Sequence, residues 1–147
     1  MRYNEKDLRQ KATLYLEVET EEAFRTEVET ELENGQWAEL YERFYTTLSF
    51  GTAGIRGLLG GGTNRMNTFM VRKVTQGLAD YLKTQSDHPS VVIGYNSRHY
   101  SDVFAKEAAL VLAANGISVY LFPELRPVPM ISYAVRNLKT TAGIAIT

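Results

Sequence analysis

Between Ser49 and Asn67 the chain reads SFGTAGIRGLLGGGTNRMN. Six of its eleven glycines fall there: Gly51, Gly54, Gly57, Gly60, Gly61 and Gly62. Arg56 and Arg65 stand among them, with hydroxyls at Thr52 and Thr63. Glycine reaches positive φ and lets another group come close to the backbone. Successive N–H groups in such a segment can form a nest, and a guanidinium adds a planar fork of donors. The chemistry suited to this set is binding of an oxyanion, phosphate above all. The same composition also serves a surface loop with ordinary turn glycines, and composition alone leaves both open.

Other chemistries find little support. Residues 51–72 contain no lysine, so G-x-x-x-x-G-K-[ST] is absent, and no G-x-G-x-x-G occurs. Only His88 and His99 are present and there is no cysteine, which removes zinc-type spacing and disulfides. A cysteine-free chain suits a reducing, cytoplasmic setting. No apolar run approaches a membrane span, and the N-terminus MRYNEKDLRQ lacks a signal-peptide core. No basic run is interleaved with aromatics, so nucleic acid is not an expected partner.

The loop needs elements to hold it. At 147 residues, with 44% hydrophobic and 22% charged residues, the chain has the size and composition of a soluble globular domain. Charge is unevenly divided. Residues 1–50 hold twelve acids against six bases, and residues 51–147 hold five against ten. The basic part carries the glycine segment, and its field favours an anion.

Residues 1–47 are expected to form a helical arm. Leu8, Ala12 and Tyr15 or Leu16 keep helical spacing, as do Phe24, Val28 and Leu32. Asn34-Gly35 marks a stop. Trp37, Leu40, Tyr41, Phe44 and Tyr45 give a short apolar helix. Glu17 to Glu33 holds eight acids and one base, the pattern of a solvated helix face.

From residue 48 the pattern changes. A short strand is expected over 48–50, then the glycine segment, then a helix from Met66 or Asn67 to about Lys83. Asn67 is a suitable N-cap, and Met70, Val74, Leu78 and Leu82 define its inner face. Apolar strands follow at 91–95, 117–122 and 142–147. Between them lie helices over 102–115, capped by Ser101, and from Pro127-Val128-Pro129 onward. Strands alternating with helices predict a three-layer α/β/α domain over 48–147, with a mostly parallel, mixed sheet. Ligands in such sheets gather beyond the carboxyl ends of the strands. Asn96-Ser97-Arg98 and the 123–127 stretch fall there. The chain stops at the carboxyl end of an apolar strand, where another loop is due, and a longer parent protein is expected.

Five segments in order carry a specific likeness: FGTAGIRG (50–57), GTNRMN (62–67), VVIGYNSRHYS (91–101), ELRPVP (124–129) and AGIAIT (142–147). The set resembles the first domain of the α-D-phosphohexomutases. It is similar to the bacterial phosphoglucomutase/phosphomannomutase-like branch, which includes phosphopentomutases.

The resemblance implies a four-domain parent enzyme with a deep cleft. A phosphoserine there exchanges its phosphoryl group with a sugar phosphate through a bisphosphorylated intermediate, a sugar 1,6-bisphosphate for hexoses. It implies Mg2+ at the phosphoserine, with carboxylate ligands in the second domain. In the family a strand like AGIAIT runs into Ala-Ser-His-Asn-Pro, which carries the nucleophile, so these 147 residues are expected to be inactive alone. Partners implied are the phosphorylated sugar and the remaining domains of the parent.

Residue by residue, Arg56 matches the arginine of the family's glycine loop, beside the transferring phosphate, with Thr52 and Gly54 shaping that loop. Arg98 matches the arginine of the Asp-Ser-Arg or Asp-Gly-Arg element, but Asn96 replaces the Asp. Arg98 therefore has two open roles, ligand contact or a clamp at a strand end. Arg65 has the same two, phosphate contact or an internal anchor. A non-catalytic module that binds a phosphorylated ligand is the alternative from another class.

Overall fold

A computed structural model describes residues 4–147. The described residues form two compact units, one ending at Met70 and one running from Val71 to Thr147.

In the first unit, α1 (Glu5–Val18) starts at Asn4, whose side chain accepts the Asp7 N–H. Leu8, Ala12 and Tyr15 form its buried face, as the helical spacing predicts. Next comes α2 (Glu22–Glu33), which buries Phe24 and Val28. Gly35 follows at φ 64°, the left-handed conformation that ends a helix. The third helix, α3 (Trp37–Phe44), buries Leu40 and Phe44. One cluster joins all three: Leu8, Ala12, Tyr15, Val28, Leu40 and Phe44, with Leu16, Leu32, Trp37, Tyr41 and Phe69 around it. The Phe44 and Phe69 rings both meet Tyr15 edge-on.

The strand expected over 48–50 does not form. Leu48 donates its N–H to Thr63 O at 3.0 Å, and the bridges in the segment are isolated ones, Gly51 with Gly54 and Leu59 with Met66. A strand needs a partner with a run of free backbone groups. Here Gly61 gives both its backbone groups to side chains of α2 and α3, and the carbonyls of Gly60 and Gly62 take the Asn67 amide.

In α4 (Thr68–Gln85) the buried positions are Thr68, Met70, Val71, Thr75, Ala79 and Leu82, while Val74 and Leu78 are half-buried. The face is thus rotated from the one expected.

In the second unit, β1 (Ser90–Tyr95), α5 (Ser101–Ala114), β2 (Ser118–Leu121), α6 (Val128–Leu138) and β3 (Ala142–Ile146) follow in order. The strands are all parallel in the order β2-β1-β3. Val91 stands between Val119 and Ala142, and Ile93 between Leu121 and Ile144. The chain moves outward through α5 and returns past β1 through α6. Right-handed crossovers then place α5 and α6 on opposite faces, giving three layers. Central β1 buries Val91 to Gly94 in an unbroken run because both faces are covered. Val92 packs with Ile131, Ala134, Phe122 and Val135. Helix α6 lies so close that a Cβ on Gly94 would stand 2.5 Å from Ile131.

Ser101 does not cap α5. It is the first helical residue, and Tyr100, at φ 63°, precedes it. Its hydroxyl donates instead to Asn96 Oδ1 at 3.1 Å, because the turn from β1 supplies a nearer acceptor. No helix among the described residues is long and apolar enough to cross a membrane.

Candidate phosphate-binding site

The expected site residues divide between the units. Thr52, Gly54, Arg56 and Arg65 belong to the first, and Arg98 belongs to the second.

Thr52 and Gly54 share a tight turn in which Gly51 N–H donates to Gly54 O at 2.8 Å. Gly54 sits at φ 109°, a conformation that disfavours any side chain. Thr52 is exposed at its tip, and Arg56 is exposed two residues beyond Gly54. Among the described residues no carboxylate pairs with the Arg56 guanidinium, so its fork of donors faces solvent. The backbone beside it is held. A Cβ on Gly57 would meet Leu48 at 2.8 Å. Leu58 O accepts Met66 N–H at 2.7 Å, and Gly60 N–H donates to Met66 O at 3.1 Å.

Asn67 locks the far end. Fully buried, it donates to Gly60 O and Gly62 O at 2.8 and 2.7 Å, and its Oδ1 accepts Met70 N–H at 2.9 Å. It therefore caps α4 as expected while also closing the glycine segment. Arg65 points elsewhere. Its Nη1 donates to Glu42 at 3.3 Å and to Asn64 O at 3.2 Å, and its side chain is only 14% exposed.

The arm supplies groups that the charge pattern did not reveal. Arg43 forks onto Glu31 with two 2.8 Å hydrogen bonds and reaches Glu27 at 2.8 Å. Burial opposes its charge, but Glu31 and Glu27 outweigh that and raise its pKa. Glu19 is buried between α1 and α2, accepting from Tyr15 OH, Thr20 N–H, Glu21 N–H, Phe69 N–H and the Thr68 hydroxyl. Burial and then the Glu19 charge drive the Tyr15 phenol far above its ordinary range. The acidic run is therefore not wholly a solvated face. The available signal was Glu27 and Glu31 at i, i+4 spacing, one turn apart on α2.

In the second unit the candidate residues stand at the carboxyl ends of β1 and β2. A cavity of about 620 Å3 is lined by Asn96, Ser97, Arg98, Asp102, Glu124 and Arg126, among others. Asn96 Oδ1 accepts the Arg98 backbone N–H at 3.1 Å, making a side-chain-closed turn. Position 96 thus orients the Arg98 main chain, and the exposed Arg98 side chain lines the cavity. Arg126 N–H donates to Tyr95 O at 2.9 Å, and its guanidinium pairs with Glu124 at 3.1 Å. This is the strand-end placement that the alternating pattern predicts.

Comparison with known proteins bears on this arrangement. Residues 47–147, from just ahead of the glycine segment through β3, match the family described as phosphoglucomutase/phosphomannomutase, alpha/beta/alpha domain I. The chain belongs to that family. It is also 51% identical over 106 residues to phosphoglucomutases of Staphylococcus aureus strains USA300 and MRSA252. The alignment covers 72% of this chain and 19% of each of those relatives, so the chain spans about a fifth of their length. The phosphoglucomutase/phosphomannomutase match takes in Thr52, Gly54, Arg56, Arg65 and Arg98. Among the described residues no three His, Asp or Glu side chains come together as metal ligands.

Proposed function

We propose that this chain is the first domain of a phosphoglucomutase-type enzyme, which interconverts sugar 1-phosphate and sugar 6-phosphate. The observation that carries the reading is the 51% identity to phosphoglucomutases over a stretch of 106 residues. In the proposed reaction a phosphoserine outside these residues gives its phosphoryl group to a sugar hydroxyl. The serine O–P bond breaks, a sugar O–P bond forms, and the proton of the attacking hydroxyl passes to the serine oxygen, which becomes a free hydroxyl. The other phosphate of the resulting bisphosphate then returns to the serine. Arg56 stabilises charge on the transferring group, the usual dominant contribution in such chemistry. Thr52 and Gly54 hold the loop open to the phosphate, and Arg98 offers its guanidinium to substrate from the cavity of the second unit. Arg65 serves as an internal anchor through Glu42. Mg2+, bound by residues beyond this chain, belongs to the proposal, as do a sugar 1,6-bisphosphate intermediate and a cytoplasmic setting.

None of the serines here lies in a Ser-His-Asn-Pro sequence. The 147 residues alone are therefore proposed to be inactive. The test is conversion of glucose 1-phosphate to glucose 6-phosphate by the parent protein, alongside this chain by itself. Turnover by the parent alone supports the reading. An inactive parent, or turnover by the short chain, overturns it.

A further inference from the structure

We infer that Arg43, on α3 of the acidic arm, is a positioning residue for the Arg56 segment and acts through the peptide groups of Gly61. The inference rests on the proposed role of Arg56.

Gly61 is buried and lies outside every strand of the described residues. An ion pair serves its backbone instead. Its carbonyl accepts from Arg43 Nη1 at 3.0 Å, and its N–H donates to Glu27 Oε2 at 2.9 Å. The same Nη1 and Oε2 are 2.8 Å apart, so the two charges and the two backbone groups close one ring. The Arg43 main chain grips the loop again, because its carbonyl accepts Asn64 N–H at 2.9 Å.

The fit leaves no slack. A Cβ on Gly60 would lie 2.8 Å from Glu27 Oε2, one on Gly61 2.4 Å from Phe24 O, and one on Gly62 2.7 Å from Arg43. The three consecutive glycines are therefore explained by contact with the arm, without a ligand. From Gly60 the order passes to Met66 and Leu58 by the two hydrogen bonds of the loop neck. Leu58 is two residues from Arg56. Catalytic geometry is sensitive to displacement, and a shift of about 1 Å costs on the order of 10²-fold in rate.

Lysine cannot reproduce this clamp. It keeps the charge but has no planar fork to serve Glu31, Glu27 and Gly61 together. In the parent enzyme, Arg43→Lys is expected to lower kcat about 10- to 100-fold, per site titrated with phosphoryl group, with KM changed less than about threefold. Combined with Arg56→Ala, its further effect is expected to fall below about twofold, because it acts through that side chain. Glu27→Gln, at a side chain 43% exposed, is the milder companion if Arg43→Lys does not fold. It is expected to show a smaller kcat loss that likewise disappears beside Arg56→Ala.

A loss that persists undiminished in the Arg56→Ala background overturns the positioning role, as does unchanged kcat in both variants. Arg56→Ala at the wild-type rate instead strikes the catalytic role of Arg56, and the positioning role falls with it.

Discussion

The Glu19 carboxylate accepts the Phe69 backbone N–H at 3.1 Å, so an acid from the α1–α2 connection caps a helix fifty residues away. Asn67 serves the next N–H, that of Met70. Two of the four unpaired donors at the start of α4 are thus met by side chains, one local and one distant.

Replacing Glu19 tests this directly. Five donors converge on its carboxylate, and Glu19→Ala leaves the Tyr15 and Thr68 hydroxyls buried without it and three part-buried N–H groups beside them. The expected cost is about 3–5 kcal/mol, because hydrogen bonds to a charged group are strong and buried unmet donors are penalised. Glu19→Gln keeps the shape but turns an amide NH2 toward those donors, and about 1–3 kcal/mol is expected. Trp37, the only tryptophan, packs against the same core, so its fluorescence during urea unfolding reports this unit. A change below 0.5 kcal/mol, about the scale of a surface substitution, would contradict the capping role.

Tyr15 gives a pH dependence. Its folded pKa is raised from the ordinary 10.0 by burial and then by the Glu19 charge. The folded form therefore keeps its proton after the unfolded chain has lost it. The stabilisation is complete below pH 10 and is lost as pH rises beyond it, at about 1.4 kcal/mol per pH unit. Comparing urea stability of the native protein and Tyr15→Phe at pH 9 and pH 11 isolates this contribution. The variant is expected to show the shallower alkaline decline, and parallel declines would refute the assignment.

The second unit was largely legible from sequence. Continuous apolar runs at 91–95 and 142–147 and the glycine and proline stops fixed β1, α6 and β3 to within a residue or so, since both faces of a parallel sheet must be buried. Arg98 at a strand end was legible for the same reason. The strand at 48–50 was misread because local apolar pattern carries no information about whether a partner exists. Glu19, Glu27 and Arg43 escaped for a related cause. Their roles come from tertiary meetings of residues 12 to 50 positions apart, and a run of acids looks the same whether it faces water or a buried backbone.

Two glycines of the second unit respond to alanine in opposite directions. Gly94 lies under α6, where a Cβ would press on Ile131 at 2.5 Å. Gly94→Ala is expected to cost about 1–3 kcal/mol by overpacking. Gly77 lies inside α4, and a Cβ there would meet nothing within 4 Å. Gly77→Ala is expected to gain about 0.5–1 kcal/mol, by restricting the unfolded chain and raising helix propensity. Urea unfolding followed by far-ultraviolet circular dichroism measures both, and shifts of the same sign would show the packing assignment to be wrong.

The two arginines of the glycine segment have the same charge but different surroundings, and that difference predicts their kinetics. Arg56 is exposed and unpaired among the described residues, whereas Arg65 is committed to Glu42 and Asn64 O. In the parent enzyme, Arg56→Ala is expected to lower kcat about 10²- to 10³-fold, the scale for losing one charge-stabilising donor. Arg65→Ala removes a pair whose Glu42 side is 56% exposed, and such pairs contribute about 0–1 kcal/mol. Its kcat is expected to stay within about threefold of the native value, a change of roughly 0.7 kcal/mol or less in barrier. Steady-state turnover of glucose 1-phosphate by both variants decides between them. A large kcat loss in Arg65→Ala with little in Arg56→Ala would reverse the assignment, making Arg65 the phosphate-side arginine and Arg56 a solvated side chain.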